Sequence, residues 1–350
     1  MQKKKKRNKA MALSWVLMIL LILSGCGRGE ETSGSTGGVE ESGSEINIGI
    51  AFDSFIIERW ERDRDIFVSR AKDLGASVNV QNANGDVQRQ KDQIRYLIDK
   101  KMDVIVIIAV DSSALSQEVE EAKDAGIRIV AYDRLVTNAD LDLYISFDNR
   151  MVGKYMADAI IAGLPDGGRI MKINGPSKDN NVALVNQGFD EEIKGHQIQV
   201  FDTYYATEWK GEEAFNYLSD NPDKADSADA VMCGNDSLAG QAVRYYSEKR
   251  MAGRIPIVGQ DADLDACQRI VEGTQAMTVY KPIERLAKEA ADYAVALAKG
   301  HEPAVPDSIE NGNKVVPYAS IQPVMVTKDN IDSIIIDSGF HLREDVYLKE

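Results

Sequence analysis

The chain has 350 residues, of which 44% are hydrophobic and 28% are charged, and its 56 acidic and 41 basic residues give a net charge of −15 at pH 7. An acidic surface is repelled by phosphate backbones, so the composition argues against nucleic acid as a partner. About 300 residues follow the N-terminal region, more than one hydrophobic core usually serves, and this predicts two lobes.

The N-terminal region has the pattern of an export signal. A basic stretch at residues 3–9 precedes an apolar run at residues 12–23, which is too short for a comfortable membrane span. The run ends at Leu23-Ser24-Gly25-Cys26, which resembles the lipobox of bacterial lipoproteins. We therefore expect residues 1–25 to be a lipoprotein signal peptide and Cys26 to carry the lipid. The alternative is an uncleaved helical anchor, and both place the body of the protein outside the cytoplasm.

Residues 26–45 form the expected tether between this signal and the folded body. They are rich in Gly, Ser, Thr and Glu and contain almost no apolar residue, a composition that stays disordered. Removal of residues 1–25 takes away six basic residues and no acidic ones, so the mature chain has 35 basic and 56 acidic residues and a net charge of −21.

From residue 46 the chain alternates predicted strands and helices, which indicates a parallel sheet with helices on both faces. Gly75 and Gly126 follow two of the helices, where a left-handed C-terminal cap suits glycine. Ser112 or Ser113 is the expected N-terminal cap of the third helix. In chain order the elements are a strand at 46–52, a helix at 57–74, a strand at 78–81, a helix at 88–100, a strand at 104–109 and a helix ending at 125.

A second alternating set begins near Asp148, which with Asn149 lies at the predicted hinge. Pro282 begins a helix that is expected to return to the first lobe, since a first-turn proline loses no helical hydrogen bond. The strands of this second set are predicted at 170–174, 199–203, 230–233, 255–258 and 276–279. The fold class is therefore α/β, with two Rossmann-like lobes, each a parallel sheet flanked by helices. The N-terminal lobe is predicted to comprise 46–147 plus 282–315, and the C-terminal lobe 148–281 plus part of 316–350.

Six strand-like runs end in a polar or charged cluster. In open α/β sheets ligands bind beyond the carboxyl ends of the strands, so clusters from separate segments are expected to meet in one crevice. The clusters are Glu58-Arg59-Trp60, Asp133-Arg134, Asp179-Asn180-Asn181, Gly234-Asn235-Asp236, Gln260-Asp261 and Lys281.

The chemistry of these clusters suits an uncharged polyol. Three cations stand against three carboxylates, and ionised groups make hydrogen bonds to hydroxyls about twice as strong as neutral groups do. The amides of Asn181 and Asn235 both donate and accept, as a hydroxyl does. Asp236 is a candidate cap for the helix that follows Asn235, so it is not expected to bind the ligand directly. The charged members are Arg59, Arg134, Lys281, Asp133, Asp179 and Asp261.

Trp60 and Trp209 are the only tryptophans outside the signal. An aromatic ring complements the C–H face of a sugar, so both are expected to stack on the ligand. Ordinary core packing is the alternative, and it is stronger for Trp60, which begins a helix.

Other chemistries have less support. The three histidines follow no predicted strand, and no Walker A or dinucleotide glycine loop is present. The strand-end carboxylates could form a glycosidase pair, but a sequence does not give their separation. Residues 261–272 have the acidic spacing of a calcium loop, yet Ala266 stands where the sharp turn needs glycine. We therefore expect no catalytic residue, no metal and no cofactor, and a glycosidase or sugar isomerase is the alternative from another class.

Cys233 and Cys267 are the only cysteines besides Cys26. They could pair in an exported protein, but the apolar run around Cys233 favours a buried thiol.

The chain is similar to pentose-binding members of the type I periplasmic binding protein family of bacterial ABC transporters, from about residue 46 to residue 342. The resemblance implies two lobes joined by a multi-strand hinge that close on one sugar. The most specific matches are Glu58-Arg59-Trp60, Arg64 to Val68, Ala131 to Arg134, Tyr144 to Asn149, Asp179-Asn180-Asn181, Gly259 to Asp263, Gly273-Thr274-Gln275 and Met277 to Pro282. The sugar-contacting positions that it implies are Arg59, Arg134, Asp179, Asn181, Trp209, Asn235, Asp261 and Lys281, with Trp60 and Asp133 close by.

The expected protein is an extracytoplasmic, lipid-anchored receptor for D-xylose or a close aldopentose that delivers the sugar to an ABC permease. Family membership implies a monomer. The alternative output is signalling, in which the closed form docks on a membrane histidine kinase or chemoreceptor. A DNA-binding repressor is excluded, because the export signal stands where its helix-turn-helix would be.

Overall fold

The structure is a computed structural model that describes residues 45–57 and 59–348. The predicted signal peptide, Cys26, almost all of the predicted tether and Glu58 lie outside the described residues. Across the described ranges, no helix combines the length and the apolar character that a membrane span would need.

The first lobe is built on a seven-stranded sheet. Its strands are β1 (Ile46–Phe52), β2 (Ala76–Asn82), β3 (Val104–Ile107), β4 (Arg128–Tyr132), β5 (Leu143–Phe147), β11 (Asp307–Glu310) and β12 (Val315–Ile321). They lie in the order β11-β12-β5-β4-β3-β1-β2, and every pair is parallel except β11 with β12. The short parallel strand β3 is buried along its whole length, as its continuous apolar sequence predicts.

Four helices cover the two faces of this sheet. They are α1 (Arg59–Asp73), α2 (Val87–Asp99), α3 (Ser116–Asp124) and α10 (Ile283–Ala298). Helices α1 and α10 pack against one face and α2 and α3 against the other, so each face has its own hydrophobic core. The helix after Pro282 thus packs on the first lobe, as predicted.

The second lobe contains a four-stranded parallel sheet and a short antiparallel pair. The strands are β6 (Gly168–Asn174), β7 (Ile198–Tyr205), β8 (Ala230–Cys233), β9 (Ile257–Val258), β10 (Thr278–Tyr280) and β13 (Val324–Val326). The sheet has the order β7-β6-β8-β9, β10 pairs with β13, and a bridge from Val258 to Met277 connects the two. The helices are α4 (Asn149–Gly163), α5 (Asn180–Glu192), α6 (Glu212–Asp220), α7 (Pro222–Asp226), α8 (Asp236–Glu248), α9 (Leu264–Glu272), a π-helix (Asp332–Ile336) and α11 (Arg343–Val346).

The chain passes between the lobes at three places, after β5, after β10 and between β12 and β13. Two of these crossings touch, because the amide of Asp148 donates to the carbonyl of Ile321 at 3.0 Å. The predicted α/β class with two lobes and a multi-strand hinge is confirmed.

The helix ends show where local sequence was a sound guide and where it was not. Gly75 and Gly126 adopt positive φ angles of 84° and 80° after α1 and α3, as predicted. The predicted serine cap of α3 is wrong, because the helix begins at Ser116 after Leu115 without a side-chain cap. Ser113 instead bonds within its own loop, to Asp111, and Ser112 contacts the other lobe.

Both cysteines of the described chain are buried. Cys233 lies in β8 as a thiol, and burial raises its pKa. Cys267 lies in α9, where its Sγ donates to the carbonyl of Ala262 at 3.7 Å.

Candidate functional site

Nine of the ten predicted ligand-binding side chains line one cavity between the lobes. They come from segments that follow β1, β4, β6, β7, β9 and β10, and they are joined by Ile57 and Gln260. The strand ends therefore converge. The nine are Arg59, Trp60, Asp133, Arg134, Asp179, Asn181, Trp209, Asp261 and Lys281.

The cavity is small because its charged walls meet one another. Its volume is about 20 Å³, room for about one water molecule. The two lobes are joined across it by an ion pair from Arg134 Nε to Asp179 Oδ2 at 2.8 Å. The side-chain amide of Asn181 (Nδ2) also donates to Asp133 Oδ1 at 3.1 Å.

Arg59 is held in place by two carboxylates of the first lobe. Its Nε and Nη2 atoms bond Asp63 at 3.1 and 3.0 Å, and Nη2 also lies 2.9 Å from Asp133 Oδ2. Asp63 in turn accepts a hydrogen bond from the hydroxyl of Tyr132. Burial alone would lower the pKa of Arg59, but these carboxylates raise it well above its usual value, so the guanidinium stays charged.

Arg134 is shared between the lobes. Its Nη1 bonds Asp53 Oδ2 of the first lobe at 2.6 Å, while its Nε faces Asp179 of the second lobe. Burial lowers the pKa of Arg134, and the two carboxylates more than offset this and raise it. Burial raises the pKa of both Asp53 and Asp179, with Arg134 acting in the opposite direction.

Asp133 and Asp261 both follow strands with a left-handed backbone, with φ angles of 61° and 100°. Residues other than glycine adopt such angles infrequently, and strained backbone of this kind clusters at functional sites. Burial would raise the pKa of Asp133, but Arg59, Lys281 and Arg134 lower it. Lys281 Nζ lies 3.1 Å from Asp261 Oδ1, so each cation of the cavity has a carboxylate partner.

The two tryptophans sit in different surroundings. Trp60 is 1% exposed and lies close to two cations, with Arg59 Cζ 4.4 Å and Arg134 Cζ 5.6 Å from its ring. Trp209 lies against glycine backbone instead. A Cβ atom on Gly175 would come within 2.3 Å of the indole of Trp209, so this position admits only glycine while the ring keeps its place.

Several buried polar atoms around the cavity have no hydrogen-bond partner within the described chain. They include Nε1 of Trp60, Nε1 of Trp209, Oε1 of Gln260 and Oδ1 of Asp53. Buried polar groups in proteins are nearly always satisfied, so a cluster of exceptions calls for an explanation. A ligand that both donates and accepts hydrogen bonds would satisfy them.

Asn235 is the predicted residue that the structure places elsewhere. It lines an adjoining groove of about 460 Å³ that shares Ile57 and Trp209 with the cavity. Its Oδ1 accepts from the amide of Leu238 at 2.9 Å and caps α8. The suggestion that Asp236 is this cap is therefore wrong.

Asp236 lies one residue further on and is buried. Its carboxylate accepts from Gln275, from Thr278 and from the amide of Asp263. Burial raises its pKa to about 7, against the lowering effect of Arg269.

Sequence reasoning missed two carboxylates, so the expected balance of three cations and three carboxylates is incomplete. Asp53 directly follows β1, and Asp63 lies four residues after Arg59 on the same face of α1, a spacing that favours an ion pair. With them, five carboxylates face three cations. Burial raises the pKa of Asp63, as it does that of Asp53 and Asp179, and the neighbouring guanidinium groups act in the opposite direction.

Among the described residues no group of three or more His, Cys, Asp or Glu side chains is placed to hold a metal ion. The Asp261 carboxylate, first residue of the calcium-like spacing, is paired with Lys281.

Comparisons with known proteins agree with this architecture. Residues 48–302 match the model of the periplasmic binding protein domain family. The D-xylose-binding periplasmic protein of Haemophilus influenzae is 42% identical over 311 residues, which cover 87% of this chain and 92% of that protein. A multiple sugar-binding periplasmic receptor of Rhizobium radiobacter is 30% identical over 323 residues, covering 84% of this chain and 90% of the receptor. The crystal structure of an ABC transporter solute-binding protein from Clostridium phytofermentans, with bound β-D-glucose, has a TM-score of 0.78 and 29% identity over 86% of this chain and 99% of that one.

The chain belongs to the periplasmic binding protein family. Its members bind solutes outside the cytoplasm and are not enzymes, which confirms the expectation of a binding protein over that of a glycosidase or isomerase.

Proposed function

We propose that the protein is a lipid-anchored receptor that binds D-xylose or a close aldopentose between its lobes and delivers it to an ABC permease. The observation that carries this proposal is the convergence of nine polar and aromatic side chains, from both lobes, on one small cavity with paired charges. The 42% identity to a D-xylose-binding protein over most of both chains supports a pentose as the ligand.

The charge of the site favours a neutral ligand. Each cation already has a carboxylate partner, and carboxylates outnumber cations five to three. A sugar acid or sugar phosphate would bring further negative charge into a buried site with no spare cation among the described residues. A neutral sugar needs only hydrogen bonds, which the ionised groups provide in their strong form.

Binding requires the lobes to separate, because a sugar is much larger than the 20 Å³ cavity. The ligand then inserts between Arg134 and Asp179 and between Asp133 and Asn181, and it replaces contacts between the lobes with contacts to itself. Closure is a population shift whose size depends on how much better the sugar contacts the closed form. The permease is expected to recognise that closed form.

Calorimetry of the chain from Glu45, with a panel of neutral and anionic sugars, tests the proposal. We expect D-xylose to bind with a dissociation constant near or below micromolar, about 8 kcal/mol. D-Glucuronate, which keeps the pyranose ring of D-xylose and adds a carboxylate at C5, should bind at least tenfold more weakly than D-glucose, its uncharged counterpart, and NMR should show the xylose unchanged after incubation. Preference for D-glucuronate over D-glucose, absence of binding to any pentose, or steady product formation would contradict the proposal.

Delivery is tested separately by capture of membrane partners with the sugar-loaded protein. Recovery of an ABC permease is the expected result. Recovery of a histidine kinase or chemoreceptor in its place would support the signalling alternative.

A further inference from the structure

Two hydrogen bonds join the lobes beside the cavity without involving its lining side chains. The amide of Ser112 donates to the carbonyl of Lys178 at 3.1 Å, and the amide of Asn180 donates to Oγ of Ser112 at 3.1 Å. Ser112 follows β3 in the first lobe, whereas Lys178 and Asn180 precede and begin α5 in the second. Ser112 lines neither the cavity nor the adjoining groove.

The first lobe holds Ser112 firmly in this position. Its carbonyl accepts from the amide of Thr137 at 2.7 Å and from the Thr137 hydroxyl at 3.0 Å. The residue is only 5% exposed. The serine therefore presents its Oγ to the second lobe from a fixed backbone.

On the second lobe, the partner is the start of a helix whose first amides lack intrahelical acceptors. Asp179 satisfies one of them from within the same chain segment, since its Oδ1 accepts from the amide of Asn181 at 3.0 Å. The amide of Asn180 is satisfied by Ser112, from the other lobe. The capping of α5 is thus complete only when the lobes are together.

We propose that Ser112 acts as a latch that favours the closed form whether or not sugar is bound. It determines sugar affinity as a positioning residue, through the N-terminus of α5, and does not touch the sugar. The same helix turn carries Asp179 and Asn181, so a latch at this point brings two ligand-binding candidates into place. The effect on affinity rests on the proposed function, whereas the effect on closure does not.

Three single substitutions test the latch. Ser112→Ala removes the acceptor for Asn180 and leaves the backbone bonds to Thr137 and Lys178. Ser112→Thr keeps the hydroxyl and should rescue the effect. Ser113→Ala is the matched control, because Ser113 is exposed in the same loop and its hydroxyl bonds only Asp111 at 2.8 Å.

In the sugar-bound arm, we expect Ser112→Ala to weaken D-xylose binding by about 2- to 10-fold, the equivalent of one hydrogen bond. The dissociation rate should rise by most of that factor, because the latch is lost from the closed state. Tryptophan fluorescence in stopped flow measures this rate, since Trp60 and Trp209 both line the cavity. Ser113→Ala should match the wild type.

In the sugar-free arm, small-angle X-ray scattering should show a larger radius of gyration for Ser112→Ala than for the wild type and Ser113→Ala. The scattering measurement tests the latch even if the wild type binds no pentose. Absence of pentose binding would contradict only the proposed function. Equal radii for all variants, or an equal loss of affinity in Ser112→Ala and Ser113→Ala, would overturn the latch. Circular dichroism of each variant identifies any loss of fold. If Ser112→Ala does not fold, the test rests on Ser112→Thr, which must match the wild type in both arms.

Discussion

The two lobes contribute to the cavity in different ways. In the first lobe both guanidinium groups have a carboxylate of their own lobe, Asp63 for Arg59 and Asp53 for Arg134. In the second lobe the α5 residue Asp179 pairs with Arg134 of the first lobe, and Asn181 donates to Asp133 of the first lobe while its Oδ1 accepts from Asn149 of its own lobe at 3.0 Å. The first half is therefore preorganised, while the α5 side is completed by closure. The second lobe also has a preformed pair of its own, Lys281 with Asp261 at 3.1 Å, so the difference between the lobes lies at α5.

The largest expected effect comes from removing the side chain of Arg134, which contacts carboxylates of both lobes. Arg134→Ala leaves the buried carboxylates Asp53 and Asp179 without their cation, and removal of one partner from a buried pair costs about 3–5 kcal/mol. We expect a loss of this size, divided between sugar affinity measured by calorimetry and the free energy of unfolding measured in urea.

Two further variants serve as comparison for that result. Asp179→Asn should cost less, because Arg134 keeps Asp53 in the first lobe. Arg244→Ala removes an exposed pair with Glu248 and should change neither quantity by more than about 0.5 kcal/mol. A greater loss of sugar affinity or of unfolding free energy in Asp179→Asn than in Arg134→Ala would contradict preorganisation of the first lobe.

The second lobe should also be the more sensitive to pH near neutrality, because of Asp236. Its pKa is raised from 3.8 to about 7, so the folded state binds a proton that the unfolded state has lost between these values. This contribution to stability is fully present below pH 4 and is lost as the pH rises through 7, by a few kcal/mol at most.

Urea unfolding of the wild type and of Asp236→Asn at pH 5 and pH 8 measures this contribution. The wild type should lose stability relative to the variant as the pH rises, whatever the constant offset between them. Parallel pH profiles would show that Asp236 does not titrate in this range.

A smaller effect is expected at the glycine that supports Trp209. Gly175→Ala would place a Cβ atom 2.3 Å from the indole and force the ring to move, which should weaken binding by about 1–3 kcal/mol, as in Trp209→Ala. The double variant should lose little more than either single one. Additive losses would show that Gly175 acts independently of the ring.

The smallest expected effect concerns the predicted lipid anchor. Cys26→Ser should abolish attachment to membranes in cell fractionation and leave the D-xylose affinity of the purified protein unchanged. Continued partition of the variant into membranes would contradict lipidation at Cys26, and a changed affinity would contradict an independent tether.

Local sequence was enough to predict the architecture and most of the residues in the cavity. Strand and helix periods, and glycine caps such as Gly75, depend on neighbouring residues, so they can be read along the chain. The parallel arrangement then brings residues after the strands to one edge, and Asp133 and Asp261 were found in this way. Trp209 was predicted from the chemistry of its ring and by the resemblance, because its segment has no comparable strand-end pattern.

Only the tertiary structure decided which groups pair. Arg59 binds Asp63 on its own helix, but the bond from Tyr132 to Asp63 and the sharing of Arg134 by Asp53 and Asp179 depend on strand order and on closure of the lobes. Ser112 or Ser113 was expected to cap a helix of the first lobe, and Ser112 Oγ instead accepts from the amide of Asn180 in the other lobe. The physical reason is that a buried polar group is satisfied by whichever partner the packed chain brings within about 3 Å. That choice depends on the whole fold.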